Sequence, residues 1–279
     1  MAVNHYENFP VASILLPRHL RRAVGDIYRF ARTADDIADE GDDAPAIRRA
    51  GLARYRVALH AIAADPRDPQ GFDAEVAPIF KPLAATISRH QLPITPFFHL
   101  LEAFEQDIDT HRYATAQAVD DYCTRSANPV GRLMLHLHDA ATPENLTQAD
   151  AICTGLQWTN FLQDVQIDLR KDRIYLPQED LARFGVTEAA MRARTLSPEW
   201  TALMAFEVER TRALLHFGAP LARRLPGRVG LELRLVVQGG LRILERIAAN
   251  RYDVFMNRPQ LEARDWSVMG WRALVKYDA

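Results

Sequence analysis

The sequence predicts an all-α protein, a single-domain helical bundle spanning residues 1–279 around a central cavity. Apolar residues recur at helical spacing along nearly the whole chain, whereas the alternation of half-buried strands is scarce. The breaks between periodic stretches are short and polar, and neither a low-complexity linker nor a solenoid-type repeat divides the chain. With 279 residues, 48% hydrophobic content and 13 glycines, the chain can bury a sizeable core as one domain.

The first predicted helix, 18–40, has two lines: Leu20, Val24, Ile27, Ala31, Ala34 and Ala38 form an apolar one, and Tyr28, Arg32, Asp35 and Asp39 form a polar one beside it. Helices 45–64 and 73–90 are separated by DPRDPQG at 65–71, and LPITP at 92–96 leads into helix 95–110. Helices 116–124 and 128–140 flank Asn128-Pro129, where proline is expected to break or kink the helical path. ATPENLT at 141–147 reads as a loop. The helix after it, 148–170, carries a second polar face of Gln157, Asn160, Asp164 and Asp168, continued by Lys171, with Phe161, Leu162 and Val165 around it. LPQED introduces helix 178–184; helix 198–224, the break LPGRVG and helices 228–250 and 260–275 complete the chain.

The chemistry is concentrated in two acid clusters, Asp35, Asp36 and Asp39 in ARTADDIADE, and Asn160, Asp164 and Asp168 in NFLQDVQIDL. Residues four apart lie one above another, roughly 6 Å along the axis, so like charges are stacked and repel. Taken alone, the first cluster would equally serve as a solvated face, since GDD follows it. Two such clusters, each beside an apolar line, point to a cation that neutralises them. Oxygen ligands without histidine or cysteine favour Mg²⁺, which usually shares its shell with substrate phosphates. Arg32, Lys171, Arg173, Tyr28 and Tyr175 are candidates for a diphosphate cradle. Phe9, Tyr28, Tyr122 and Phe161 can offer π faces to a carbocation, although Phe161 fits a plain core position equally well.

Other function classes lose their ligands. Lys+Arg of 34 against Asp+Glu of 36, net charge −2 and a pI near 6.5 leave no overall basic footprint for nucleic acid. Cys123 and Cys153 imply no disulfide framework. His136 and His138 cannot share a helix face, and HExxH, ExxH, GxGxxG and Walker patterns are missing. MAVNHYENFP lacks the pattern of a secretory signal, and no stretch of 18 or more apolar residues occurs. The chain therefore reads as cytoplasmic, with membrane contact confined to its periphery.

ARTADDIADE resembles the first DxxxD motif of the head-to-head prenyl synthases (squalene, phytoene and dehydrosqualene synthases), and NFLQDVQIDLRKDRIYLP resembles their NxxxDxxxD motif with its basic, tyrosine-containing tail. DDYCTRSANPVG is similar to the family's tyrosine-cysteine segment and RYDVFMNRP to its C-terminal signature, so the resemblance covers most of the chain. HYENFPVASILLPRHLRRAVGDIYRFARTADDIADEGD and YCTRSANPVGRLMLHL are most similar to the bacterial HpnC subgroup of the hopanoid pathway, the hydroxysqualene synthases.

The resemblance implies the all-α isoprenoid synthase fold and several Mg²⁺ ions held by Asp35, Asp36, Asp39, Asn160, Asp164 and Asp168. It implies catalytic roles for Asp35, Asp39, Asp164, Asp168, Tyr28 and Asn128, and substrate contacts from Arg32, Gln157, Lys171, Arg173, Tyr175 and Tyr122. Presqualene diphosphate would be ionised and the cation quenched by water to hydroxysqualene, without NADPH or FAD, before hand-over to a separate flavin-dependent reductase. Formation of presqualene diphosphate, squalene or phytoene is the neighbouring alternative on the same fold. A non-catalytic prenyl-lipid carrier is the alternative of another class, against which the intact acids argue. Two positions depart from the family pattern. Ser126, Asn128 and Pro129 replace a Val-Ala-Gly-Thr-Val-Gly-like stretch, and Gln163 stands where relatives commonly have arginine, which puts that arginine's phosphate contact in doubt.

Overall fold

The computed structural model describes residues 17–275. Among them are thirteen helices and no strand, only an isolated bridge between Arg112 and Ile174. The all-α prediction therefore holds. The helices are α1 (Arg21–Asp39), α2 (Pro45–Ala64), α3 (Ala77–His90), α4 (Thr95–Asp107), α5 (Ala116–Ser126), α6 (Asn128–Leu137) and α7 (Pro143–Arg170), followed by α8 (Gln178–Phe184), α9 (Glu188–Arg192), α10 (Pro198–Gly218), α11 (Leu221–Arg224), α12 (Gly227–Ala249) and α13 (Ala263–Val275).

Where boundaries differ from the sequence reading, local hydrogen bonding explains the difference. Helix α3 starts at Ala77 rather than 73 because the Asp73 carboxylate accepts from the N–H groups of Glu75 and Val76, at 2.9 and 3.0 Å, and closes a turn there. Helix α7 starts at Pro143, inside the expected loop: Thr142 Oγ1 accepts from Asn145 N at 3.3 Å, and a proline at the first helical position lacks only an N–H that would be orphaned anyway. The expected helix 198–224 is interrupted where Pro220 cannot continue the ladder, giving α10 and α11. Helix α9 was not anticipated; the Thr187 hydroxyl caps it by accepting from Ala190 N. The helical path breaks at Ala127 as expected, and Pro129 lies in the first turn of α6, where a proline is tolerated.

The chain forms two compact units. The unit holding the described residues up to His111, together with Asp121–Asp150, packs α1 on α2, α3 and α4, and α4 on α6. Phe30 of α1 is its hub, meeting Phe80 and Phe97 edge-on at centroid distances of 5.7 and 5.5 Å. The apolar line is buried as predicted at Leu20, Val24, Ile27, Ala34 and Ala38, with Ala31 half-buried. The buried Asp26 carboxylate accepts from Thr86 Oγ1 at 2.8 Å and so fixes α1 against α3.

In the unit of Arg112–Asp120 and the residues from Ala151 onward, α12 packs against α10, α11 and α13. Glycines allow the closest approach. A Cβ on Gly155 of α7 would lie 2.9 Å from Leu215 of α10, and one on Gly240 of α12 would lie 2.9 Å from Leu156 and 3.1 Å from Leu215. Three helices thus meet on Leu215, which sets the position of the α7 face carrying the second acid motif.

Candidate active site

On α1 the predicted polar line is half-buried: Tyr28, Arg32, Asp35, Asp36 and Asp39 all sit between core and solvent. Arg32 spans the acids, with Nη1 3.1 Å from Asp35 Oδ2 and Nη2 2.6 Å from Asp36 Oδ1. It offsets the like-charge repulsion of the cluster while the two carboxylates stay about 40% exposed (41% and 42%). The C-terminal end of α1 is held by Arg48, whose guanidinium donates to the carbonyls of Ile37, Gly41 and Asp43 at 3.3, 2.7 and 2.9 Å. A cation on these outward carbonyls also complements the helix dipole.

In the same unit Tyr122 is buried, and its hydroxyl donates to Asp107 Oδ2 at 2.9 Å. Asn128 is buried in the first turn of α6. Burial lowers the pKa of His138, and His19 nearby adds to this. An open cleft of about 450 Å³, lined by Arg49, Glu102, Glu105, Gln106, Asp109 and Arg125, contains none of the predicted site residues.

On α7, Gln157, Asp164 and Asp168 are half-buried and Asn160 is exposed. Asp164 is clamped by Arg258: Nε contacts Oδ1, Nη2 lies 3.1 Å from Oδ2, and each side chain is 14% exposed. The preceding residue, Gln163, is buried and its Nε2 donates to the carbonyl of Pro259. RYDVFMNRP is thereby docked onto α7 at the second acid motif. Trp200 secures the same segment, donating from Nε1 to the Tyr252 carbonyl at 3.0 Å and packing on Phe255 at 4.6 Å.

The basic tail after α7 is a built turn. Lys171 and Arg173 both donate backbone N–H groups to the Asp168 carbonyl, at 3.0 and 2.8 Å, with Asp172 at φ 55° between them. Arg112 holds Asp172 from one side and Glu188 from the other, and Arg192 also contacts Asp172. These two arginines keep the Asp172 carboxyl below its ordinary pKa, and Arg112 does the same for Glu188. The turn leaves Lys171 exposed and Arg173 half-buried. Asp168, Arg173, Tyr175 and Phe161 line one small cavity of about 10 Å³. Phe161 and Tyr175 stack at 3.8 Å and 7°, and Trp158 and Tyr113 extend the aromatic wall on either side. Phe9 lies outside the described residues.

Sequence reasoning missed three members of this arrangement: Arg258, Arg48 and Arg112. Arg258 lies in a motif already recognised, but its partner is 94 residues away. Each acid motif supplies carboxylates, with an amide on α7, which is the donor chemistry of a hard divalent ion. No three His, Cys, Asp or Glu side chains are gathered into a preformed cage among the described residues.

The hydroxysqualene synthase of Rhodopseudomonas palustris is 32% identical over 275 residues, covering 96% of this chain and 88% of its own. The 15-cis-phytoene synthase of Synechococcus elongatus is 30% identical over 272 residues, covering 92% and 85%. The crystal structure of squalene synthase HpnC from Alicyclobacillus acidocaldarius has a TM-score of 0.80 at 38% identity, covering 89% of this chain and 90% of that one. A family model for squalene/phytoene synthase matches residues 2–265, and the chain belongs to that family.

Proposed function

We propose that the protein converts presqualene diphosphate and water to hydroxysqualene with release of pyrophosphate, as a cytoplasmic, Mg²⁺-dependent step of hopanoid and squalene biosynthesis. The α7 face carries the reading: Asn160, Asp164 and Asp168 rise at one-turn spacing toward a fixed turn that presents Arg173 and Tyr175. A carrier of prenyl lipids has no need of such an arrangement, because it activates no leaving group.

Asp35, Asp36, Asp39, Asn160, Asp164 and Asp168 are the residues that would hold Mg²⁺, which when bound supplies positive charge to the diphosphate and stabilises its departure. Arg32, Lys171 and Arg173 add charge-assisted hydrogen bonds to phosphate oxygens, and the hydroxyls of Tyr28 and Tyr175 and the amide of Gln157 add neutral ones. The C–O bond breaks with its electron pair leaving on pyrophosphate, and the carbocation opens its cyclopropane ring and rearranges. The aromatic faces of Phe161, Tyr175 and Tyr122 exclude bulk water and stabilise the positive charge. Asn128, a buried amide, holds the water whose oxygen bonds to the cation; the proton released goes to solvent. The alcohol is then a substrate for a separate flavin-dependent reductase.

The phytoene synthase relative favours a second reading, formation of presqualene diphosphate, squalene or phytoene from prenyl diphosphates. Incubation of the purified protein with Mg²⁺ and presqualene diphosphate in ¹⁸O-labelled water, with and without NADPH, separates the two. Labelled hydroxysqualene in equal amounts under both conditions is the expected result. Squalene formed only with NADPH, or inert presqualene diphosphate with farnesyl diphosphate consumed, refutes the water-quenched reaction. Asp35→Asn, Asp39→Asn, Asp164→Asn and Asp168→Asn should each lower the rate by orders of magnitude, and near-normal turnover in any two removes the metal assignment.

A further inference from the structure

Beside Trp158 lies a buried charge cluster that the proposed reaction does not use. Glu207 of α10 and Asp180 of α8 have side chains 0% and 5% exposed, and both approach a single guanidinium nitrogen, Arg210 Nη1, at 2.9 Å. The two carboxyl groups are therefore no further apart than twice that distance, within hydrogen-bonding reach of each other. Arg210 donates to Glu207 Oε2, but no N–H is directed at Asp180 Oδ2, and Glu207 Oε1 and Asp180 Oδ2 are both buried without a hydrogen-bond partner. Two ionised carboxylates only accept, so neither could satisfy the other. One proton between them satisfies both. It also balances the charge, because one guanidinium offsets one carboxylate, and a second buried negative charge would stand uncompensated.

The surroundings leave the pair to itself. Arg210 is held against the rings of Phe206 and Trp158, at 4.7 and 5.6 Å. Asp120, which accepts from Trp158 Nε1 at 2.8 Å, adds negative charge near Glu207. Exposed Arg183 of α8 stacks on Phe206 at 4.7 Å, Arg212 is paired with Glu209 at 3.3 Å, and α12 meets α10 at Gly240 and Leu215. The proton belongs on Glu207, the more deeply buried of the two, whose pKa desolvation raises to about 8.

The consequence falls on α8. Its first turn is joined to the chain before α5: the N–H groups of Gln178 and Glu179 donate to the carbonyls of Tyr113 and Ala114 at 2.9 and 3.0 Å, and Ala116 N–H donates to Glu179 Oε1 at 2.7 Å. Tyr113 in turn stacks at 5.7 Å on Tyr175, three residues before α8 begins. Whatever holds α8 on α10 therefore helps to hold Tyr175 in the aromatic wall.

We infer that Glu207 and Asp180 share one proton, and that this carboxyl–carboxylate pair, neutralised by Arg210, is a positioning device that clamps α8 to α10 and keeps Tyr175 in place. That Tyr175 then meets substrate rests on the function proposed above; the clamp itself does not.

Both parts can be read on the full-length protein without substrate, so failure of the proposed reaction is distinguishable from failure of the clamp. Infrared spectra should show a protonated carboxyl at neutral pH that disappears as pH rises through about 8. Glu207→Gln should abolish that band, and Asp180→Asn, whose amide can donate to Glu207, should move its titration to lower pH. Over the same rise in pH the amides of Gln178 and Glu179, corrected for intrinsic exchange, should lose hydrogen-exchange protection about tenfold in the wild type, as two carboxylates repel across α8 and α10. Glu207→Gln, whose amide donates to Asp180 at every pH, should keep that protection. Absence of the carboxyl band in the wild type at neutral pH overturns the inference and needs no variant. An unshifted titration in Asp180→Asn overturns the shared proton, since desolvation of Glu207 alone would then account for it. Equal loss of protection in the wild type and Glu207→Gln overturns the clamp.

Discussion

Removing Arg258 should loosen the link between the C-terminal signature and the second acid motif, and the size of the effect follows from burial. The guanidinium meets both oxygens of Asp164, and each side chain is only 14% exposed. Exposed pairs of this kind contribute about 0.2–1 kcal/mol. Breaking a fully buried pair by deleting one partner costs about 3–5 kcal/mol, because a desolvated charge is left behind. At this burial Arg258→Ala should cost about 3 kcal/mol. A double-mutant cycle with Asp164→Asn should return a coupling of about 2 kcal/mol, the remainder being the lost packing of the arginine stem. Urea unfolding of the four proteins at neutral pH gives each term. Gln163→Met provides the control: it keeps the length of the buried side chain but leaves the Pro259 carbonyl without that donor, at a cost of about 1–2 kcal/mol. A coupling below about 0.5 kcal/mol would show that Arg258 and Asp164 behave as a solvated surface pair, and the argument that this arginine fixes the second acid motif would fail.

Arg173→Ala should raise the KM for the diphosphate substrate and lower kcat, since a guanidinium on phosphate contributes about 1.5–3 kcal/mol per charge-assisted bond; unchanged kinetics would return Arg173 to an ordinary surface role. Gly155→Ala should destabilise the protein by about 1–2 kcal/mol in urea unfolding, because its methyl would lie 2.9 Å from Leu215 Cδ2, and Leu215→Ala should relieve part of that loss. Glu207 is buried, and desolvation, opposed by Arg210 and aided by Asp180, pushes its pKa from 4.5 up to about 8. The folded state thus holds a proton that the unfolded state gives up, so the stability from Glu207 is complete below about pH 4.5 and is lost as pH rises through about 8. Between those limits the loss is at most about 5 kcal/mol, and Glu207→Gln, which cannot ionise, should show a flatter fall in melting temperature from pH 5 to 9.

What the sequence made legible is what lies within one helix. The period of 3.6 residues placed the buried line of α1 and the polar line beside it, because both depend only on spacing along a single axis. The Gln157 to Asp168 face of α7 was readable for the same reason. The start of α7 is ambiguous in sequence, since the polar segment at 141–147 has the composition of a loop while Thr142-Pro143 is a helix-start signal. The aromatic wall was half visible: Phe161 fitted a core position or a cation pocket, and its stacking on Tyr175 across the turn at Lys171–Arg173 makes it part of both core and wall. The arginines that hold the site were not legible. Arg258, Arg112 and Arg48 act on partners set by tertiary folding, and the sequence offers many arginines with nothing local to tell a clamp from a solvated cation. Gln163 shows the same limit from the other side. Its departure from the family's arginine was evident, but only the fold shows that its amide holds the Pro259 carbonyl, so that the cation reaching Asp164 comes from Arg258 on another segment. A positive charge thus reaches the second acid motif from a segment 94 residues away, a contact that spacing within α7 alone cannot reveal.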